Sequence, residues 1–317
     1  MRTWNSHKGV IIENKYKYDL IDCKICGFKH IVPIPKKEEL GEYYSKTYYS
    51  DRKPDYCRQQ FESKEWWDLV YSERFERFEK YLKKNNSSKR ILDIGSGPGF
   101  FLKYGLDRGW DVLGIEPSKH ASEFSKSMGV NVINEGIEDV IYNEIGKFDI
   151  IHMQGVIEHL RSPVETLKLC QELLNENGLI CFTVANEFNT FQKILVENYM
   201  YDKWWFVPPE HINYFDIPSL ENLISNSGFE VISVLSSFPM EMFLLFGENY
   251  TLDNQLGSIC QQKRLNFEKA LNKNKAFKEE FYKALASIGI GRTVEIIAYK
   301  KNNYKVLEYE KSFNSRS

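Results

Sequence analysis

No stretch of this 317-residue chain approaches the ~18–20 consecutive apolar residues of a membrane-spanning helix, which argues against an integral helical membrane protein. Charge of one sign is also lacking. Lys and Arg number 42 against 44 Asp and Glu, a net charge of −2, whereas a dedicated nucleic-acid binder carries a clear basic excess. The first residues, Met1-Arg2-Thr3-Trp4-Asn5, contain no apolar stretch of a signal peptide. A cytoplasmic protein is therefore expected, its six cysteines free thiols or metal ligands. Internal repeats are absent. Apolar material is not: 42% hydrophobic and 15% aromatic residues suffice for a sizeable core and exclude wholesale disorder. The length exceeds one average domain but suits one α/β domain with additions.

Periodicity organises the middle of the chain. From Phe61 to Lys84 the residues Trp67, Val70, Tyr71, Phe75, Phe78 and Tyr81 recur at three- and four-residue steps, a helical stripe. Strand-like runs then alternate with helical ones. The runs are Ile91–Ile94, Asp111–Ile115, Val130–Ile133, Phe148–Met153 and Leu179–Val184, followed after a long interruption by Glu230–Ser236 and Val294–Tyr299. Strands spaced by helices predict βαβ units and a parallel sheet of right-handed connection.

The sharpest motif is Ile91-Leu92-Asp93-Ile94-Gly95-Ser96-Gly97-Pro98-Gly99-Phe100, a strand entering a glycine turn and then a helix. Glycine permits close backbone approach to a ligand, and a helix N-terminus offers unpaired N–H groups. A dinucleotide site places its third glycine one position later, where Phe100 stands here. Asp93 attracts an ammonium group and repels a pyrophosphate. The second strand ends in Gly114-Ile115-Glu116, with Glu116 in the register at which an acid accepts hydrogen bonds from ribose hydroxyls. The two features describe a ligand with an amino-acid end and a ribose, and S-adenosylmethionine has both.

On these residues the chain resembles the class I S-adenosylmethionine-dependent methyltransferases. It is similar to the small-molecule branch that includes ubiquinone-biosynthesis O-methyltransferases and sugar methyltransferases. The matching pieces are Leu92 to Gly99, Gly114-Ile115-Glu116-Pro117-Ser118, Gly155-Val156-Ile157-Glu158-His159-Leu160 and His211-Ile212-Asn213-Tyr214-Phe215. The resemblance implies a Rossmann-like α/β fold, a seven-stranded mostly parallel sheet whose last strand is antiparallel. It implies S-adenosylmethionine as cofactor and S-adenosylhomocysteine as product. It assigns Asp93, Gly95, Ser96 and Gly97 to the methionine side, Glu116 to the ribose, Gly136 and Ile137 to the adenine, and Met153 and Gln154 to the region beneath the sulfonium, with Gly99 and Pro117 also counted as cofactor-binding. Glu138 or Asp139 would meet the adenine amino group.

Ligands of open α/β sheets sit outside the C-terminal strand ends, where His159 and His211 are expected to fall. Methyl transfer depends mainly on positioning, and a hydroxyl acceptor gains from a general base, commonly histidine. Each histidine is also readable as a local structural residue, His159 capping backbone at a helix start and His211 bonding within a loop. Glu158 would orient the acceptor or help hold a metal, although Gln154 and Val156 stand where further acids would favour one, so no catalytic metal is expected. His152, within a strand, reads as core. The aromatic segment Tyr201–Phe215 reads as a substrate wall, with Trp204, Trp205 and Tyr214 as contacts, or equally as a satellite core.

Cys23-x-x-Cys26-Gly27 has the form of one knuckle of a zinc ribbon. With a single pair, and His7, His30 and Cys57 at spacings unlike a ribbon, it is expected to be a packed turn without metal, structural zinc being the alternative. Residues 261–317 carry thirteen Lys and Arg against six Glu. Such a run is either a solvated face or an aid to a phosphorylated acceptor. The expected organisation is an N-terminal arm over 1–60, a methyltransferase domain over 61–300 with insertions at 188–217 and 238–290, and a tail over 301–317. The expected activity is methylation of a small acceptor, first a hydroxyl of a sugar, sugar phosphate or nucleotide-linked sugar in surface-polysaccharide or secondary metabolism. An N-methyltransferase and a non-catalytic cofactor-binding subunit are the alternatives.

Overall fold

The computed structural model describes residues 7–43, 56–82 and 89–301. Beyond Lys301 the expected tail lies outside the described residues. The described strands, in chain order, are β1 (Gly9–Lys15), β2 (Tyr18–Cys23), β3 (Lys29–Val32), β4 (Arg90–Ile94), β5 (Asp111–Ile115), β6 (Val132–Ile133), β7 (Phe148–Gln154), β8 (Leu174–Ala185), β9 (Asn213–Tyr214), β10 (Phe229–Ser236) and β11 (Thr293–Lys300). The principal helices are α1 (Lys37–Glu42), α2 (Tyr56–Glu62), α3 (Lys64–Tyr81), α4 (Phe100–Asp107), α5 (Lys119–Ser127), α6 (Pro163–Leu173), α7 (Thr190–Tyr199), α8 (Ile217–Asn226), α9 (Glu241–Leu245), α10 (Asn254–Leu271) and α11 (Lys275–Ser287).

Seven strands form one sheet in the order β10-β11-β8-β7-β4-β5-β6. The neighbours from β8 to β6 pair in parallel, and β11 is antiparallel to both β8 and β10, as expected for the last strand. A sheet covered on both faces needs strands that are apolar throughout rather than alternating. β7 shows this, with six of its seven residues buried. One face packs Tyr71, Phe75 and Phe78 of α3 and Phe101 and Leu102 of α4. The other packs Leu167, Cys170 and Leu173 of α6 with Leu220, Leu223 and Ile224 of α8. Helices on both faces leave the C-terminal ends of β4, β5 and β7 as the open edge.

The N-terminal arm, expected only as an arm with a packed turn, is a sheet over much of its described length. β1, β2 and β3 form an antiparallel meander, and β9, some 180 residues later in sequence, pairs with β3 to complete a four-stranded sheet. Five of six residues of β2 are buried. The reason is the aromatic segment: Trp205, Phe206, Ile212 and Tyr214 pack on Tyr18, Leu20, Ile31 and Leu40 as a satellite core. The alternation of a half-exposed strand is lost because the partner surface is supplied from far along the chain.

The second insertion, over 238–290, carries α9, α10 and α11. Three of its lysines pair with α3: Lys269 with Glu65, Lys275 with Glu76 at 2.7 Å and Lys278 with Glu73 at 2.6 Å. Among the described residues, no helix is long and apolar enough to cross a membrane.

Candidate functional site

At the end of β4 the chain turns through Gly95, Gly97 and Gly99, all at positive φ. A Cβ on Gly95 would lie 2.5 Å from Val156 Cγ2, and one on Gly99 would lie 2.5 Å from Ser125 Oγ. Only glycine fits this path without strain. Glu116, buried at the end of β5, closes the loop: its two carboxylate oxygens accept from Gly97 N–H and Ser118 N–H, each at 2.8 Å. Burial pushes the Glu116 carboxyl up to about 7.

These elements wall a cavity of about 270 Å³. Asp93, Gly95, Ser96, Gly97, Glu116, Pro117, Gly136, Ile137 and Gln154 all line it, together with Glu138 and Asp139. Gly99 and Met153 do not. Gly99 caps α4 behind the loop, and Met153 is turned into the core because alternate side chains of a strand face opposite ways. Lys37 and Leu40 of α1 and Gln60 of α2 complete the wall, so the N-terminal segment forms part of this site. Lys37 bonds Asp139 at 2.6 Å.

A buried polar chain, which sequence reasoning misses, runs beneath the cavity. Asp93 Oδ1 accepts from His152 Nδ1 at 2.7 Å, and His152 Nε2 accepts from Arg74 Nη1 at 2.9 Å. Arg74, 2% exposed, also donates to Gln154 Oε1, Thr183 Oγ1 and Glu295 Oε2 at 2.7, 2.9 and 2.7 Å. His152 stacks on Phe101 with ring centroids 3.9 Å apart. Burial lowers the His152 pKa, so the ring is neutral, donating to Asp93 and accepting from Arg74. Burial opposes the charge on Glu295, but Arg77 and Arg74 beside it hold its carboxyl down at about 2. The available signal was a lone arginine on the apolar stripe of α3, between Tyr71 and Phe75.

A second cavity, of about 720 Å³, opens between α3, the C-terminal insertion and the ends of β8 and β11. It shares Gln154, Gly155 and His159 with the first. Glu158 and His211 also line it. His211 Nδ1 lies 2.9 Å from Glu187 Oε1, and the His159 and His211 rings meet edge to face with centroids 4.9 Å apart. His159 Nδ1 donates to the Glu210 carbonyl at 2.6 Å, and burial lowers its pKa. Its other ring nitrogen is therefore an acceptor. Burial holds the Glu187 carboxyl well above the ordinary range. Glu158, His159 and His211 offer three ligand atoms within 4.8 Å of one another, a set that could also take a cation. Glu187 was not foreseen, although an acid two residues past a central strand's C-terminal end is a signal of place.

The family model described as "Methyltransferase domain" matches residues 65–234, the span that contains the glycine loop, the Glu116 clamp, His159 and His211. This chain belongs to the class I methyltransferases. Among curated relatives, the ubiquinone biosynthesis O-methyltransferase of Acinetobacter baylyi is 27% identical over 108 residues, 32% of this chain and 45% of that protein. The tRNA U34 carboxymethyltransferase of Aliarcobacter butzleri is 30% identical over 170 residues, 48% of this chain and 51% of that one. This methyltransferase thus spans about half the length of the curated relatives it matches. The plantazolicin methyltransferase BamL, solved with a triazolic desmethylPZN analog and SAH, superposes with a TM-score of 0.53 at 16% identity. The match covers 84% of this chain and 97% of that one, and it shows a shared fold.

The residues present fit the family's methyl donor. The glycine path leaves no room for side chains at Gly95 and Gly99, Ser96 Oγ is buried without a hydrogen-bond partner in the cavity wall, and the acids Asp93 and Glu116 line the same cavity. The substrate wall expected of the aromatic segment is corrected. Trp204, Trp205 and Tyr214 line neither cavity. Tyr214 is fully buried, with its hydroxyl accepting from Val207 N–H at 3.2 Å. Their apolar area is used to seat the N-terminal sheet.

Proposed function

We propose that this methyltransferase transfers a methyl group from S-adenosylmethionine to a hydroxyl of a small acceptor held in the second cavity. S-adenosylmethionine, when bound, supplies an electrophilic methyl on a sulfonium centre. The chain's own residues do the rest. Asp93, Ser96 and the Gly95–Gly97 backbone would hold the methionine portion, Glu116 the ribose hydroxyls, and Gly136 and Ile137 the adenine. A hydroxyl is a weak nucleophile until its proton leaves. His211 receives that proton, and Glu187 orients the imidazole and steadies its positive form. His159, neutral and shared by both cavities, orients the acceptor at their junction.

The observation that carries this reading is His211 in the wall of the second cavity, backed by buried Glu187 and beside the histidine that both cavities share. A sugar, or a sugar carrying phosphate, is the acceptor class proposed. Arg264 lines this cavity, stacked 4.0 Å over Trp66, and its buried Nε has no partner among the described residues. It offers charge to an anionic group, whereas Lys275 and Lys278 are committed to glutamates of α3.

The test is a screen of sugar phosphates, nucleotide sugars, phenols and amines for S-adenosylhomocysteine release. A hydroxyl acceptor is expected. With that acceptor, His211→Gln should lower kcat roughly 10²–10⁴-fold while calorimetric affinity for S-adenosylmethionine stays unchanged. Turnover of amines alone would move the reading to N-methylation. Cofactor binding without turnover on any acceptor would make the chain a non-catalytic subunit.

A further inference from the structure

The N-terminal sheet carries a cluster that neither cavity uses. His7, Cys23, Cys26 and His30 each offer one ligand atom, and the four atoms lie within 4.8 Å of one another. Three strands bring them together. Cys23 ends β2, and a tight turn follows in which Gly27, at φ 75°, donates its N–H to the Cys23 carbonyl at 2.9 Å. That turn returns Cys26 to the side of Cys23, with Cys26 N–H 3.5 Å from Cys23 Sγ. β1 pairs Gly9 with Cys23, which delivers His7 from one flank, and β3 pairs His30 with Ile21, which delivers it from the other.

The distances suit one ion. His7 Nδ1 lies 3.3 Å from Cys26 Sγ and 3.7 Å from Cys23 Sγ. Ligands of a tetrahedral zinc, with bonds of about 2.3 Å to sulfur and about 2.0 Å to nitrogen, stand roughly 3.3–3.8 Å apart. His30 gives the strongest indication. It is 1% exposed, its Nδ1 donates to the Ile31 carbonyl at 3.0 Å, and its Nε2 is buried with no hydrogen-bond partner. An imidazole whose far nitrogen is fixed by a backbone carbonyl presents a lone pair on the near one, the arrangement seen around ligating histidines. A buried acceptor left unpaired is costly, and a cation removes that cost.

We propose that His7, Cys23, Cys26 and His30 hold one Zn²⁺ as a closed tetrahedral structural site. Two thiolates and two imidazoles favour zinc over magnesium or calcium, and four protein ligands leave no open position for catalysis. Binding releases the two thiol protons. The ion clamps the turn that carries Phe28, whose ring packs 5.1 Å from Phe215 in the main core. It thereby fastens the N-terminal sheet to the domain whose donor cavity α1 helps to wall. The ligand spacing escapes a ribbon pattern because the second pair comes from two flanking strands instead of a second knuckle. Cys57, the remaining ligand candidate, has its side chain outside the described residues and is not needed.

Metal analysis of the full chain, purified without chelator, should find near one equivalent of zinc. Cobalt replacing it should give the intense visible bands of a tetrahedral thiolate site. Stripping the zinc should lower Tm, and adding it back should restore Tm. Cys26→Ser and His30→Ala should each lose the metal, whereas His211→Gln should keep it. Because either ligand variant could fail to fold, the strip-and-restore experiment on the unaltered chain stands independently. Metal-free protein with no cobalt bands and a zinc-independent Tm overturns the proposal. So does zinc that is lost with His211→Gln, since the ion would then belong to the Glu158–His159–His211 cluster.

Discussion

The two cavities are built from different materials. The first cavity, where we propose the donor binds, is lined mainly by the ends of β4, β5 and β7 and the loops that follow β4, β5, β6 and β7. The second cavity, where we propose the acceptor binds, is lined mainly by side chains from α3, α10, α11, β8, β11 and the loop before β9. The first is shaped by glycine geometry and one clamped acid. The second depends on ion pairs and hydrogen bonds between segments up to some 220 residues apart, such as Arg74 with Glu295. A site of the first kind tolerates change in the rest of the chain, and one of the second kind can be rebuilt for another acceptor by altering the insertions.

The two halves meet at Arg74, and the largest expected effect is there. Arg74→Met leaves Glu295 with Arg77 alone and unsatisfies His152 and Gln154, so urea unfolding should show a loss of about 3–5 kcal/mol, the scale of a broken buried ion pair. A loss below about 1 kcal/mol would mean that the chain beneath the cavities is dispensable. Next comes Glu187→Gln. It should reduce turnover roughly 10²-fold without changing affinity for S-adenosylmethionine, which separates the halves functionally. The pH profile sharpens the point. Burial raises the Glu187 carboxyl, so the Glu187–His211 pair gives up its shared proton late. The base form exists above the pair's pKa, and turnover should fall as pH drops through it. In Glu187→Gln that midpoint should move down toward a lone histidine's, and an unmoved profile would place the essential base elsewhere.

The smallest effect is on the donor side. Glu116→Gln replaces one acceptor of the Gly97 and Ser118 N–H groups with a donor. Calorimetry should show roughly 10–100-fold weaker binding of S-adenosylmethionine, with the KM of the acceptor unchanged. An equal change in both constants would show that the two cavities respond as one.

The donor half was legible in the sequence because its residues are neighbours. Gly95, Gly97 and Gly99 announce a backbone path, Asp93 precedes it, and Glu116 stands one strand away in register. The acceptor half was only partly so. His159 and His211 were found by their place after strands, but Glu187 and Arg74 carried little signal, since an acid in a loop and an arginine in a helix are usually solvated. The aromatic segment Tyr201–Phe215 was open between wall and core, because composition states that apolar area will be buried without saying against what. β2 and the residues of its turn settled that.

The sequence by itself determined the class of fold, the order of strand and helix in the main sheet, and the glycine loop between β4 and α4. Periodicity and glycine act within a few residues, so they survive reading in one dimension. Tertiary structure alone decided which buried polar groups meet. His211 finds Glu187, Arg74 finds His152 and Glu295, and His7 and His30 find the Cys23–Cys26 turn. Such pairings stabilise only after apolar packing has removed water from around them, and that packing depends on contacts between residues far apart in the chain.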